Sequence, residues 1–338
     1  MSSLSAIGLI ALGSIGAASF YVPFKKVKEW AWESYWISQG VAAWLILPWL
    51  FAFLTVPHGT LMSIISEAPS SAKWLAIFFG MLWGVGGLTF GLSIRYLGVA
   101  MGQSIALGFC AAFGTLIPPL VSQGGSLSWV VIAGVSVCIA GIAIIGYAGT
   151  LKSKGMSEEE RKAAVKEFAL KKGLLIAVLA GVMSAAFSYG YEVGKPIDQV
   201  ALHYGTNPLY QSNPTLIFIL LGGFVTNFIY CFYLNIKNKT IKDYTSVSAS
   251  VLFSNIFFTF LAGFLWFLQF HFYGMGKSLL TGSIAPFAWS ILMALNISFS
   301  NIWGIFLNEW KGASKTTMIV LLIGIIVLIA STFVVNLG

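Results

Sequence analysis

Residues 173–195 read GLLIAVLAGVMSAAFSYGYEVGK, an apolar run long enough to cross a bilayer as one helix. Glu192 lies inside this run, and it is the one carboxylate that we place well within an apolar segment of the chain. Because a charged group at membrane depth is costly, such a residue normally faces the interior of a helix bundle and has a function. We therefore predict that Glu192 carries a proton, with a structural ion pair to Lys195, one turn on, as the alternative.

Similar apolar runs recur along all 338 residues, of which 58% are hydrophobic and only 9% are charged. The runs lack the polar face of a helix on a soluble protein, so they indicate an all-α integral membrane protein that lies in a lipid bilayer. Windows of about 20 apolar residues predict ten transmembrane helices, which we call span 1 to span 10. They are predicted at residues 4–24, 34–56, 74–95, 98–121, 127–149, 173–195, 212–235, 251–275, 280–307 and 316–336.

Positive charge alternates between successive loops. Of the 19 Lys and Arg residues, 16 fall in the loops that follow odd-numbered spans, and Lys25, Lys26 and Lys28 form the first such cluster. The positive-inside rule places these loops in the cytoplasm and both termini outside. The net charge of +8 follows from this topology, so we expect no nucleic-acid partner.

A charged connector, residues 150–172, separates two apolar halves, 1–149 and 173–338, which we predict to be two five-helix repeats. The string GMLW at residues 80–83 of span 3 recurs as GFLW at residues 263–266 of span 8. Five is an odd number, so two such repeats insert with opposite orientation. Inverted repeats are typical of secondary transporters, whose substrate site lies near the bilayer midplane where the repeats meet.

Spans 1 and 6 align in the same way, and this alignment pairs Tyr21 with Tyr189. On span 8, Gln269 shares a helix face with Trp266 and Tyr273. Aromatic rings cover the C–H face of a small polyol and an amide meets its hydroxyl groups, so this face favours such a ligand. The alternative is hydrogen bonding between helices without a ligand. We predict a substrate site between spans 1, 3, 6 and 8, lined by Tyr21, Trp83, Tyr189, Trp266, Gln269 and Tyr273.

His271, also in span 8, lies on another side of the helix from Gln269. An imidazole titrates near neutral pH, so His271 is the second candidate for proton coupling. The alternative is a hydrogen-bonded packing residue.

Other chemistry has little support in the sequence. Cys110, Cys138 and Cys231 all lie in predicted spans without paired spacing, so we expect neither a disulfide framework nor a metal site. Nucleotide-binding and hydrolase motifs do not occur in a context that would make them functional, so we expect no cofactor and no enzymatic activity. The sequence does not indicate an oligomeric state.

Several strings resemble a known family, and the resemblance covers nearly the whole chain. They are FYVPFKKVK (20–28), WGVG (83–86), RYLG (95–98), KKGL (171–174) and WFLQFHFY (266–273). In these strings the chain resembles the L-rhamnose/proton symporters of the drug/metabolite transporter superfamily. The resemblance implies a ten-helix carrier of the bacterial inner membrane that imports a deoxyhexose, L-rhamnose or a related sugar, together with a proton. In such a membrane, the predicted orientation puts both termini in the periplasm.

Two other interpretations remain. Among transporters, the alternative is an exporter or facilitator of another small metabolite. The alternative of a different class is a membrane sensor or scaffold that transports nothing, in which the polar stripes serve packing alone. The repeat and the lack of a signalling domain in the sequence argue against the second alternative.

Overall fold

The computed structural model describes residues 3–97, 99–121, 128–155, 169–307 and 309–334, with the backbone alone at 95, 99–101, 121 and 282–284. Most of the predicted connector, residues 156–168, lies outside the described residues, as do Gly98 and the predicted end of span 10. Within the described ranges the chain is helical, with short π and 3-10 segments and no strand. The predicted all-α class is confirmed.

Ten helices in the described part of the chain are long and apolar enough to cross a membrane, as predicted. Spans 1 to 10 run Ser3–Phe24, Trp32–Thr55, Ser70–Ile94, Gly102–Leu120, Trp129–Lys154, Leu170–His203, Pro208–Lys237, Ala249–Leu279, Ala285–Phe306 and Lys315–Phe333. Span 6 is the one whose end differs most from the prediction, because a second helix follows Gly194 and continues to residue 203 instead of ending at 195.

Several spans are interrupted or extended. Span 1 consists of Ser3–Ser19 and Tyr21–Phe24; span 2 of Trp32–Gly40, the π-helix Val41–Ile46 and Leu47–Thr55; span 6 of Leu170–Val193 and Lys195–His203; span 7 of the 3-10 turn Pro208–Tyr210 and Asn213–Lys237; span 9 of the 3-10 segment Gly282–Phe287 and Ala288–Phe306. The helices of spans 3 and 4 are Ser70–Leu97 and Val99–Val121. Short helices between spans are Leu61–Glu67, Thr240–Lys242 and Asp243–Ser246.

Two spans begin with a serine cap. The Ser128 hydroxyl accepts a hydrogen bond from the Val130 N–H at 3.3 Å, and the Ser314 hydroxyl accepts one from the Thr317 N–H at 3.1 Å. Each bond satisfies one of the amide groups that the first turn of a helix leaves without a partner, and so fixes where spans 5 and 10 start.

The chain forms two compact units that alternate along the sequence. Unit 1 contains Met1–Ala11, Val85–Tyr189 and Leu279–Gly338, and unit 2 contains Leu12–Gly84 and Gly190–Ser278. Each unit therefore takes residues from both predicted repeats. The division into repeats at residues 1–149 and 173–338 stays a prediction.

Glycines bring pairs of helices together inside unit 2. A Cβ added at Gly80 of span 3 would collide with the carbonyl oxygen of Ile219 in span 7. A Cβ added at Gly263 of span 8 would lie 2.6 Å from the carbonyl oxygen of Gln39 in span 2. Gly80 and Gly263 are equivalent positions in the predicted repeat, and each packs against the second span of the other half of the chain.

Within unit 2, each odd-numbered loop contacts another odd-numbered loop, and each even-numbered loop contacts another even-numbered one. A loop here takes the number of the span that it follows. After span 7, the Asp243 carboxylate accepts hydrogen bonds from the Ala31 N–H and the Ser34 hydroxyl, both at 2.8 Å, at the start of span 2. In the even-numbered loops, the Tyr204 hydroxyl donates to Glu67. The loops after spans 1 and 7 thus lie at one end of unit 2, and those after spans 2 and 6 lie together elsewhere.

Unit 1 follows the same rule. The Ala169 N–H before span 6 donates to the Tyr96 carbonyl oxygen after span 3 at 3.3 Å. Lys152, at the end of span 5, donates to the carbonyl oxygen of Glu309 after span 9. Odd-numbered loops therefore also meet inside this unit, as expected when successive spans alternate in direction.

Candidate functional site

Glu192 is the centre of an ion cluster in unit 2. Its Oε2 lies 2.5 Å from the Lys195 ammonium, three residues on, and its Oε1 accepts a hydrogen bond from Lys277 of span 8 at 2.9 Å. The Lys195 pair is the one that the sequence suggests, whereas the Lys277 pair is not. The carboxylate side chain is 28% exposed, Lys277 is 20% exposed and Lys195 is 60% exposed. Lys277 is therefore the less hydrated partner, and it joins span 8 to span 6.

Two buried tyrosines adjoin this cluster. The Lys277 ammonium lies 5.1 Å from the ring centroid of Tyr191, within range of a cation–π interaction. The Tyr191 hydroxyl donates to the Phe270 carbonyl oxygen at 2.8 Å, and its ring meets that of Tyr273 edge-on at 5.2 Å. Tyr273, predicted to line the substrate site, is thus packed beside the ion cluster.

Asp198 is a second carboxylate of span 6, which the sequence prediction missed. It lies in the helix that follows Gly194, is buried, and accepts hydrogen bonds from the hydroxyls of Thr215 at 2.6 Å and Ser212 at 2.9 Å. The spacing of Ile197 and Ala201, both buried, identifies the inward face of this helix. Unlike Glu192, Asp198 is bonded by neutral donors, and no ion pair to it is found among the described residues.

His271 is buried and bonded within unit 2. Its Nδ1 lies 3.0 Å from Oδ1 of Asn213, whose amide donates to the Thr55 hydroxyl at 2.8 Å. The imidazole is stacked on the ring of Tyr210 with centroids 6.0 Å apart. Because the Asn213 oxygen can only accept, the Nδ1 atom of His271 carries a proton in this arrangement. This contact fits a packing residue, and a role in proton coupling stays a prediction.

Trp83 and Trp266, two predicted site residues, belong to an aromatic cluster in unit 2. The aromatic cluster consists of Phe20, Trp36, Trp44, Trp83, Trp266 and Phe270. Trp266 lies 4.1 Å from Phe20 and 6.1 Å from Trp36 between ring centroids. Trp83 lies 6.0 Å from Trp44 and 5.4 Å from Phe270. The rings meet edge to face at distances at which aromatic pairs attract each other.

The sequence prediction missed the contribution of span 2 to this cluster, Trp36 and Trp44. The string WESYWISQG, residues 32–40, carries an aromatic and polar face that could have been noticed. It was missed because the repeat alignment on which the prediction rests pairs spans 1 and 3 with spans 6 and 8 and does not include span 2.

The remaining predicted residues have different surroundings. Gln269 is buried on span 8, and a Cβ added at Gly13 of span 1 would lie 2.9 Å from its carbonyl oxygen. Tyr21 is 56% exposed and packs against Phe20 at 4.0 Å. Tyr189 belongs to unit 1, where its hydroxyl donates to the Phe113 carbonyl oxygen at 3.2 Å. Five of the six predicted residues thus lie in unit 2, and Tyr189 alone lies in unit 1.

The chain matches known proteins over its whole length. Residues 1–338 match the family model described as L-rhamnose-proton symport protein. An L-rhamnose-proton symporter of Yersinia pestis (strain Pestoides F) is 36% identical over 357 residues, which cover 100% of this chain and 99% of the relative. The relative of the same name from Yersinia pseudotuberculosis serotype O:1b (strain IP 31758) gives the same values. This chain belongs to the family of L-rhamnose-proton symport proteins.

Proposed function

We propose that this protein imports L-rhamnose, or a related deoxyhexose, across the bacterial inner membrane together with a proton. The observation that carries the proposal is the family match over residues 1–338, with relatives that are 36% identical over their full length. The ten spans supply the multi-pass architecture that such a carrier needs.

Glu192 is the proposed proton carrier, and two contacts support this role. Protonation removes the carboxylate charge that holds both Lys195 and Lys277. Because Lys277 lies on span 8, the loss of charge weakens a link between two spans and permits them to shift. The helix break at Gly194 lies two residues from Glu192, so span 6 can bend close to the titrating group. His271 is the second proposed proton-coupling residue.

The proposed sugar-binding residues of unit 2 are Tyr21, Trp83, Trp266, Gln269 and Tyr273, and Tyr189 is proposed as the repeat counterpart of Tyr21. Trp83 and Trp266 stand near the middle of spans 3 and 8, where transporters hold their substrates. Their rings suit the C–H face of a pyranose, and the Gln269 amide suits its hydroxyl groups.

The proposed orientation places the odd-numbered loops in the cytoplasm and both termini in the periplasm. Two observations support it. Odd-numbered loops meet each other in both units, and they hold 16 of the 19 Lys and Arg residues.

Uptake into membrane vesicles tests the proposal. Labelled L-rhamnose is added to vesicles with an imposed inward proton gradient, and the internal and external concentrations are compared. We expect accumulation above equilibrium that a protonophore abolishes and that a sodium gradient does not replace. Accumulation driven by sodium would contradict proton coupling. Exchange of sugar without accumulation would indicate a facilitator. If the vesicles show neither exchange nor accumulation, the sensor or scaffold interpretation remains.

A further inference from the structure

Unit 2 contains buried polar atoms that have no hydrogen-bond partner among the described residues. One is the Thr206 hydroxyl, in the loop after span 6. The others lie within spans: the Ser14 hydroxyl, both polar atoms of the Gln39 amide, and the indole N–H groups of Trp44 and Trp266. Ser14 and Gln39 are fully buried, and Trp44 is nearly so. Ser14, Gln39, Trp44 and Trp266 stand near the middle of spans 1, 2 and 8. Buried polar groups are normally paired, so four unpaired ones at mid-membrane depth need an explanation.

The backbone of span 2 turns Trp44 into this region. Residues Val41–Ile46 form a π-helix, and the Leu47 N–H accordingly donates to the Ala42 carbonyl oxygen, five residues back. A π-turn takes in one more residue than an α-turn, so it redirects every side chain that follows it, and π-segments occur frequently at functional sites. The Trp44 ring folds back over Gly40, where an added Cβ would lie 2.6 Å from it.

Trp36 connects the two unpaired indoles. Its ring lies 6.2 Å from Trp44 and 6.1 Å from Trp266 between centroids. Unlike theirs, its own N–H is satisfied, since it donates to Asn227 Oδ1 at 3.0 Å. Of these three tryptophans, only Trp36 has a hydrogen-bond partner for its indole N–H among the described residues.

Gln39 belongs to the same part of unit 2. It stands three residues after Trp36 on the same helix, and its carbonyl oxygen lies against Gly263, three residues before Trp266. The amide offers two N–H donors and one acceptor, and the two indoles offer one donor each. Such a set matches the hydroxyl groups of a sugar, each of which can both donate and accept.

We propose that Gln39, Trp44 and Trp266 bind the hydroxyl groups of the transported sugar, with the aromatic cluster against its C–H face. This inference rests on the proposed function. The amide and the two indoles have no partner among the described residues because the sugar supplies their partners, and the cost of burying them is recovered when the sugar binds. Since the three groups are shielded from solvent, entry of the sugar requires spans 2 and 8 to separate.

The test measures two quantities on purified protein: the affinity for L-rhamnose by calorimetry, and the melting temperature without sugar. We expect Gln39→Leu to weaken binding about five- to 150-fold, as for a buried polar group deprived of its partner. We expect Trp44→Phe and Trp266→Phe, which keep an aromatic ring, to weaken it about two- to thirteen-fold. The melting temperature of the sugar-free protein should stay the same or rise in Gln39→Leu, because an unsatisfied amide is removed.

Two matched variants separate binding from structure. Trp36→Phe removes an indole N–H that has a partner, so it should lower the melting temperature by leaving the Asn227 oxygen unpaired. Trp74→Phe changes a tryptophan that is 70% exposed on span 3 and should change neither quantity. The inference is overturned if Gln39→Leu, Trp44→Phe and Trp266→Phe all bind like the wild type. It is also overturned if all three lower the melting temperature as Trp36→Phe does, since that result assigns them a structural role.

The proposed function fails separately from this inference. If the wild-type protein neither binds nor accumulates L-rhamnose, the proposed function is wrong. The site can then be tested alone by a calorimetric screen that compares the binding of other hexoses and pentoses to the wild type and to Gln39→Leu. If the wild type accumulates L-rhamnose and the three variants bind it unchanged, the function stands and the site is elsewhere.

Discussion

Replacing Glu192 with glutamine removes one negative charge and keeps the shape of the side chain. In the structure, both carboxylate oxygens are engaged, one by Lys195 at 2.5 Å and one by Lys277 at 2.9 Å. The amide can still accept one hydrogen bond, but it can neither bind a proton at neutral pH nor balance two ammonium groups. If Glu192 carries the coupled proton, the variant should bind and exchange sugar but not concentrate it.

The expected loss of sugar accumulation can be calculated if one proton, carried by Glu192, drives the transport of each sugar. A proton that moves down a gradient of about 100 mV releases about 2.3 kcal/mol. Since about 1.4 kcal/mol corresponds to a tenfold ratio, such a gradient sustains roughly 40-fold accumulation of sugar. Glu192→Gln should reduce this ratio to about one. It should also leave Lys277, which is 20% exposed, without its charged partner and lower stability by roughly 1–3 kcal/mol.

The assay compares proton-driven accumulation with sugar exchange at equal protein levels in proteoliposomes. The double variant Glu192→Gln, Lys277→Met is the matched control, because it removes the unpaired ammonium and should recover stability without recovering accumulation. If Glu192→Gln still concentrates L-rhamnose as the wild type does, Glu192 does not carry the proton. His271 and Asp198 would then be tested in the same way.

Three more predictions follow from the structure. Lys277→Met should slow proton-driven uptake more than Lys195→Met, because Lys277 is 20% exposed and Lys195 is 60% exposed; equal initial rates would contradict this. A cysteine replacing Lys28, whose side chain is exposed, should resist an impermeant maleimide added outside intact cells, and ready labelling would reverse the proposed topology. Gly80→Ala should lower the melting temperature, because the added Cβ collides with the backbone of span 7. Gly91→Ala is the control, since a Cβ added there has no neighbour within 4 Å, and it should leave the free energy of unfolding unchanged or raise it by about 0.5–1 kcal/mol.

The spans could be predicted because the bilayer imposes a length and a composition on each of them. Span 6 shows the limit of this reasoning. Its apolar run ends at Lys195, but the helix resumes after Gly194 with Pro196 in its first turn, and Asp198 lies inside the resumed helix. Hydropathy registers the charged residues and predicts an end, whereas the backbone continues because Asp198 finds hydroxyl donors on span 7.

Partners in the candidate site were harder to predict, because they come from different spans. The Glu192–Lys195 pair follows from helical spacing, but the Lys277 partner depends on how span 8 packs beside span 6. The π-helix Val41–Ile46 is likewise invisible in the sequence, since one extra residue per turn leaves the composition of an apolar segment unchanged. Trp44 lies in this segment and on a span outside the repeat alignment, so it was missed, whereas Trp266 was found through its repeat counterpart Trp83.

Span 8 contributes residues to both proposed functions of unit 2, sugar binding and proton coupling. Trp266 belongs to the aromatic cluster and Lys277 belongs to the ion cluster, and they are separated by about 16 Å along one helix. A proton on Glu192 releases Lys277, so it changes the restraint on the same helix that holds the sugar. Coupling of this kind is reciprocal: if protonation strengthens sugar binding by some factor, sugar binding must strengthen proton binding by the same factor. Calorimetry in buffers of different ionisation enthalpy should therefore detect proton uptake when L-rhamnose binds to the wild type, and none when it binds to Glu192→Gln. Equal proton uptake by both proteins would place the coupled proton on another group.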